Sequence, residues 1–194
     1  VNNIRAENKT YDGNTSAVLD LSGIIFDGII KGDSLALSTG SVTGSFETAG
    51  AGNGKNVAIS IAEGALTGSS AADYSLDRNE SQKTATADIT KGTITVTPFS
   101  SAVTYGEGTD FSVTYSGAAG ADTDRLASII TGTVKYKVGK TEESAADYSK
   151  TLGAGSYSIY IDVSSLSAND YIIKAASAPA VLTVKKRPLN VNSS

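Results

Sequence analysis

The sequence predicts an all-β protein built as two tandem β-sandwich domains. Apolar and polar residues alternate along many short segments, which is the pattern of a strand with one buried face. Gly, Asn, Asp and Ser interrupt these segments every 8–12 residues or so, a spacing typical of sandwiches and barrels. The same order of motifs returns after about 95 residues, which is close to the usual size of one domain.

The alternation identifies the buried face of each predicted strand. The intervening positions are mostly Thr, Ser and Lys, so one face suits a core and the other suits solvent. The apolar residues expected to share a face within each strand are Val57, Ile59 and Ile61; Ile94 and Val96; Phe111, Val113 and Tyr115; Val134, Tyr136 and Val138; Tyr157, Ile159, Ile161 and Val163; and Leu182 and Val184.

Helix signals are weak and short. Residues 122–130 place three apolar side chains at helical spacing behind Asp122, a residue type that favours the N-cap position. This predicts one or two helical turns in the second domain. Residues 27–33 resemble such a turn, but their two glycines weaken the case for a helix.

The repeat sets the expected domain boundaries. Tyr11-Asp12-Gly13 is followed about 95 positions later by Tyr105-Gly106-Glu107, and the Asp-Tyr pair at Tyr74 likewise by the one at Tyr171. We therefore expect domains at residues 1–91 and 92–186, with residues 187–194 beginning a third, truncated repeat. Because the connections have only a few residues, we expect a semi-rigid rod that is a piece of a longer chain.

The composition excludes several kinds of chemistry. The 194 residues include no Cys, His, Met or Trp, so a Ser-His-Asp triad, a thiol nucleophile and a disulfide framework are ruled out. The net charge of −4 argues against nucleic acid and anionic membranes as partners. No apolar run approaches the length of a membrane span. We expect a monomer that needs no cofactor and has no enzymatic activity.

Motifs in both halves resemble known domains of bacterial surface proteins. The first half resembles the YDG domain, with one departure at Asp73, where that pattern has Asn; the matching segments are 8–15, 32–33, 54–57, 72–76 and 85–91. The second half is similar to the MBG domain of the Tyr-Gly type, through segments 104–106, 153–159, 166–171 and 182–184. The region 117–150 departs from that pattern.

The resemblance implies a module of large secreted or surface-anchored, adhesin-like bacterial proteins. It implies no catalytic residues. The expected role is to space or present a binding head, with neighbouring repeats as partners and an extracellular location. The alternative is that the repeats themselves bind a host glycan or surface protein. For the fold we expect an immunoglobulin-like sandwich, with a β-grasp-like arrangement as the alternative for the second domain.

The candidate site residues each allow a structural and a functional interpretation. Tyr11-Asp12-Gly13-Asn14 fits a strand-end turn better than half a Ca²⁺ site. Asp122 and Asp124 could share a cation, although capping of a helix start explains them more simply. Tyr105 and Gly106 form the corresponding turn motif of the second half.

Three tyrosines complete the list of candidates. Tyr74 and Tyr171 suit buried rings whose hydroxyls bond the main chain, as in a tyrosine corner, better than ligand contacts. Tyr160 is out of phase with the core positions, so it is expected in solvent as a candidate for stacking on a sugar. A Lys–Asn isopeptide cross-link would need a buried Lys, an Asn and a carboxylate to meet.

Overall fold

The protein is all-β, as predicted. The structure, a computed structural model, describes residues 1–108, 111–138, 141–142 and 152–190. In these residues strands predominate, the sheets curl towards barrels, and the α-helix content is one short segment. Contacts divide the chain into two compact units, Val1–Lys91 and Gly92–Ser194. The immunoglobulin-like and β-grasp-like assignments stay predictions.

The first unit is built around a five-stranded sheet in the order β2-β9-β7-β6-β3. In this sheet β2 and β9 run parallel and the other neighbours run antiparallel. Two short pairs, β1-β4 and β5-β8, complete the unit. Its strands are β1 (Arg5–Ala6), β2 (Lys9–Thr10), β3 (Ser16–Ala17), β4 (Leu19–Asp20), β5 (Ala36–Leu37), β6 (Val42–Phe46), β7 (Gly52–Ile61), β8 (Leu66–Thr67) and β9 (Thr84–Thr90).

The alternation along β7 and β9 produces the core of the first unit. One cluster of buried side chains comprises Phe46, Val57, Ala87 and Ile89. A second comprises Val1, Ile4, Leu37, Val42, Ile59 and Ala65. The residues between the buried positions of β7 are exposed, which is the pattern that the sequence predicted.

The second unit has a five-stranded sheet, β11-β17-β15-β13-β14, and a three-stranded sheet, β12-β10-β16. Two pairs run parallel, β11 with β17 and β10 with β16. The strands are β10 (Gly92–Pro98), β11 (Ser101–Thr104), β12 (Val113–Ser116), β13 (Lys135–Val138), β14 (Thr141–Glu142), β15 (Gly155–Asp162), β16 (Tyr171–Ala175) and β17 (Ala180–Lys185).

The predicted core positions of the second unit are also confirmed. Ile94, Val96, Ile159 and Leu182 are completely buried. The rings of Phe111 and Tyr136 stack at a centroid distance of 5.1 Å beside them.

The helix of the second unit is shorter than a full amphipathic helix, and its start differs from the prediction. A 3₁₀ segment, Gly120–Arg125, leads into α1 (Leu126–Ile129), so a short helix is present as expected. However, Asp122 is not the N-cap, because the 3₁₀ segment begins after Ala119. Asp122 lies inside this segment, where its side chain is buried. In the first unit, residues 27–33 form turns.

One residue, Lys91, separates β9 from β10. The predicted first strand of a third repeat is not seen in residues 187–190, which form no strand; residues 191–194 lie outside the described residues. No described helix is both long and apolar enough to cross a bilayer.

Candidate functional site

The Tyr11-Asp12-Gly13-Asn14 motif is a turn at the end of β2. Gly13 has a φ of 81°, a conformation that glycine adopts without steric cost. The Asn14 N–H donates to Asp12 Oδ1 at 3.1 Å, and the Ser16 N–H donates to Asn14 Oδ1 at 2.9 Å. Each of these side chains thus bonds the backbone two residues further on, which closes the turn.

Lys9 occupies the centre of this turn. Its ammonium donates to Asp12 Oδ1 and the Asn14 carbonyl at 2.8 Å each, and to Asn14 Oδ1 at 3.1 Å. The same nitrogen lies 5.5 Å from the centroid of the Phe46 ring, a cation–π distance. The oxygens that could have begun a Ca²⁺ site therefore already bind a cation of the protein. Among the described residues, no cluster of three or more acidic side chains offers a metal site.

The same turn brings together the three groups of an isopeptide cross-link: a lysine, an asparagine and a carboxylate. The lysine side chain is only 17% exposed. Hydrogen bonds from Lys9 are the main cause that lowers the pKa of Asp12, so this carboxylate stays ionised at neutral pH. An ionised carboxylate holds the ammonium in an ion pair, and this geometry favours the ion pair over attack on the asparagine amide.

We predict that Lys9→Met raises the pKa of Asp12 towards its ordinary value of 3.8. Folding stability that depends on ionised Asp12 is present above that value and is lost as the pH falls through the lower pKa of the folded state. NMR titration of the Asp12 carboxyl carbon measures the shift. Lys55→Met is the control, since Lys55 bonds Thr48 instead. An unchanged Asp12 pKa in Lys9→Met would show that Lys9 is not the cause.

The hydroxyl group of Tyr171 bonds a segment of the same unit that lies far away in the sequence. Its ring is 4% exposed. The hydroxyl donates to Asp122 Oδ2 at 2.7 Å and accepts the Ala119 N–H at 2.9 Å. Both contacts lie about 50 residues earlier in the chain, whereas a tyrosine corner bonds the backbone a few residues upstream. The tyrosine joins the start of β16 to the 3₁₀ segment.

Tyr74 makes the same set of bonds in the first unit. Its hydroxyl donates to Asp33 Oδ2 at 2.5 Å and accepts the Ile30 N–H at 3.0 Å. In both units the amide donor lies three residues before the acidic acceptor. We name this arrangement, Tyr74–Asp33–Ile30 and Tyr171–Asp122–Ala119, the tyrosine latch.

Each unit also has a close backbone crossing that needs glycine. A Cβ on Gly68 would collide with the carbonyl oxygen of Ser34, and a Cβ on Gly132 would collide with that of Ser165. Both glycines also have positive φ, of 113° and 101°.

Comparison with known protein families identifies a domain in the first unit. Residues 1–86 match the family model described as the YDG domain. A YDG domain therefore occupies residues 1–86. No curated protein and no solved structure matches the chain.

The motif segments of the YDG domain meet in the tyrosine latch. Asp33, from the Gly-Asp segment, accepts the hydrogen bond of Tyr74, from the Ala-Asp-Tyr segment. Asp33 holds the pKa of the Tyr74 hydroxyl above its usual value, mainly through this bond. The residues that mark the domain in sequence thus connect distant parts of its backbone.

The turn at Tyr105 and Gly106 corresponds to the turn of the YDG domain, with different contacts. Gly106 has a φ of 86°. The Glu107 N–H donates to the Thr104 carbonyl at 2.9 Å, and Arg187 Nη1 donates to the Tyr105 carbonyl at 3.4 Å. Here an arginine from beyond β17 bonds the turn, where the YDG domain uses Lys9.

Tyr160 lies on the outer face of β15 and is 48% exposed, in agreement with its phase in the strand. Across the sheet it faces Lys137, and its neighbour Asp162 faces Lys135. Hydrogen bonds from Ser164, followed by the two lysines, lower the pKa of Asp162. This surface presents an aromatic ring beside charges of both signs.

Gln82 is a residue that the sequence did not single out. Its side-chain amide accepts the Ile4 N–H and donates to the Ile4 carbonyl, both at 2.8 Å. The glutamine thus makes the two hydrogen bonds that a neighbouring strand would otherwise make with the backbone of Ile4, which is buried. It also lines a groove of about 550 Å³ between β7 and residues 76–83. No sequence signal marks a glutamine that bonds a backbone 78 residues away.

Proposed function

We propose that this chain is a non-enzymatic structural module that spaces or presents other domains in an extracellular, adhesin-like repeat protein of bacteria. The tyrosine latch is the observation that carries the proposal. In both units the tyrosine hydroxyl bonds an aspartate side chain and a backbone N–H of the same unit. Side chains used in this way stabilise a fold and leave the motif without a reactive group for chemistry.

The shared design of the two units supports the assignment of the second as an MBG domain. Each unit pairs its second strand with its last in parallel and carries one latch. The motif resemblance of residues 104–106 and 166–171 points the same way. In this proposal the partners of each unit are the neighbouring repeats, and the location is the bacterial cell surface or the medium.

A second function is favoured by the surface around Tyr160. An exposed tyrosine can stack on a sugar ring. Asp162 can accept hydrogen bonds from the hydroxyl groups of the sugar, and Lys137 can donate to its hydroxyl or acidic groups. In this alternative the repeat binds a host glycan or surface protein directly.

Binding of the fragment to arrays of glycans and host surface proteins separates the two functions. For the spacer we expect no saturable binding, and no difference between the natural chain and Tyr160→Ala. Tyr105→Ala is the matched control, because Tyr105 is 46% exposed and Tyr160 is 48% exposed. Saturable binding that Tyr160→Ala abolishes and Tyr105→Ala retains would replace the spacer by the adhesive function.

A further inference from the structure

In each unit the last strand is hydrogen-bonded in parallel to the second strand of that unit. In the second unit, Ser101–Thr104 of β11 pair with Leu182–Lys185 of β17. The Tyr105 N–H extends this ladder by donating to the Lys185 carbonyl at 2.9 Å. In the first unit β2 pairs with the end of β9, and the Tyr11 N–H donates to the Thr90 carbonyl at 2.8 Å.

A second connection lies beside each parallel pair. In the second unit it is a full parallel ladder, from Gly92 opposite Tyr171 to Val96 opposite Ala175. In the first unit the corresponding connection uses Gln82, whose amide bonds Ile4 and whose N–H donates to the Val1 carbonyl at 2.9 Å. Both ends of each unit are therefore tied to each other, and more extensively in the second.

The direction of these strands determines how they respond to tension. Two parallel strands point the same way. A pull on the beginning of one strand and on the end of its partner therefore slides the two strands past each other. The bonds of the ladder cross the gap between the strands and are then loaded together. A pull at the same end of both strands instead opens the ladder one bond at a time.

We propose that the parallel second and last strands of each unit form a shear clamp and that this chain bears tension between its two ends. The clamp consists of β11, β17 and the Tyr105–Lys185 bond in the second unit, and of β2, β9 and the Tyr11–Thr90 bond in the first. This inference rests on the proposed spacer function and adds a mechanical role. Tension arises whenever one end of a surface protein is anchored and the other holds a bound target.

Single-molecule force spectroscopy on the full chain tests the clamp in two pulling directions. The natural chain has no cysteine, so introduced thiols define the attachment points. Phe99→Cys with Lys186→Cys pulls β11 and β17 in shear, because the exposed Phe99 lies just before β11 and Lys186 just after β17. Gly108→Cys with Lys186→Cys pulls near the same end of β11 and β17, and a Cβ at Gly108 meets open space.

We expect the unfolding force in shear to exceed that in peeling by about two- to fourfold, because the four residue pairs of the β11–β17 ladder share the load instead of one pair at a time. Forced unfolding reports the unfolding rate, so the comparison does not depend on equilibrium stability. Equal forces in both directions would overturn the clamp. They would leave the spacer proposal intact, since the binding arrays test that separately.

Two variants at one position test the Tyr105–Lys185 bond within the clamp. Tyr105→Pro removes the N–H donor, whereas Tyr105→Ala keeps it and removes only the half-exposed ring. We expect the proline variant to lower the shear force and the alanine variant to retain it. Circular dichroism first confirms that both are folded. An equal loss in the two variants would assign the effect to the ring and remove this bond from the clamp.

Discussion

Replacing Tyr171 with Phe is expected to destabilise the second unit by about 2–3 kcal/mol, because a hydrogen bond to a buried carboxylate and one to a backbone amide are both lost. Asp122 is 5% exposed, so water does not readily replace the hydroxyl. The ring itself stays, and the packing around β16 is therefore preserved. The decrease in stability therefore measures the contribution of the two hydrogen bonds of the hydroxyl.

Hydrogen exchange followed by mass spectrometry measures this loss for each unit separately. We expect faster exchange in peptides from the second unit and unchanged exchange in the first. Tyr74→Phe is the matched control, because it removes the same two bonds in a more exposed setting and should cost less. Equal effects of the two variants would show that burial of the latch does not contribute.

The pH dependence offers an independent measure of the same latch. Burial, followed by the hydrogen bond to Asp122, raises the pKa of Tyr171 from 10.0 to about 12. Since the folded state has the higher pKa, the stabilisation is complete below pH 10.0 and is lost as the pH rises towards about 12. This loss should be absent from Tyr171→Phe, in which no phenol remains at that position to ionise.

Gln82→Leu should destabilise the first unit by about 2–4 kcal/mol, because each buried backbone group left without a partner costs about 1–3 kcal/mol. The two groups are the N–H and the carbonyl of Ile4, which is 2% exposed. Urea unfolding monitored by the exchange of first-unit peptides measures the change.

Asn79→Leu is the matched control for the glutamine variant. Asn79 lies in the same segment and is exposed, and it bonds Asp77 Oδ1 through its backbone N–H rather than its side-chain amide. We expect a change within about 0.5 kcal/mol, as for most surface substitutions. A comparable loss in both variants would mean that leucine disturbs the segment in general and that the bonds of Gln82 contribute little.

Local patterns predicted much of this molecule, because they report which side of a strand is buried. Val57, Ile94 and Leu182 are all in the core, and Tyr160 is exposed on the opposite face. The positive φ of Gly13 also follows from local turn chemistry.

Local patterns failed where a residue acts on a distant segment. Asp122 was expected to cap a helix, but it accepts the Tyr171 hydroxyl from the far side of the unit. Lys9 was part of a motif with no assigned role, and it neutralises the turn that it precedes. Gln82 carried no signal at all.

Strand positions, the all-β class and the exclusion of Cys and His chemistry were determined by the sequence alone, because composition and alternation are properties of neighbouring residues. The tyrosine latches, the Gln82 contact and the parallel pairing of the second and last strands of each unit were decided only by the tertiary structure. Each joins groups separated by about 40 to 80 residues, and such distances are closed by the packing of whole sheets.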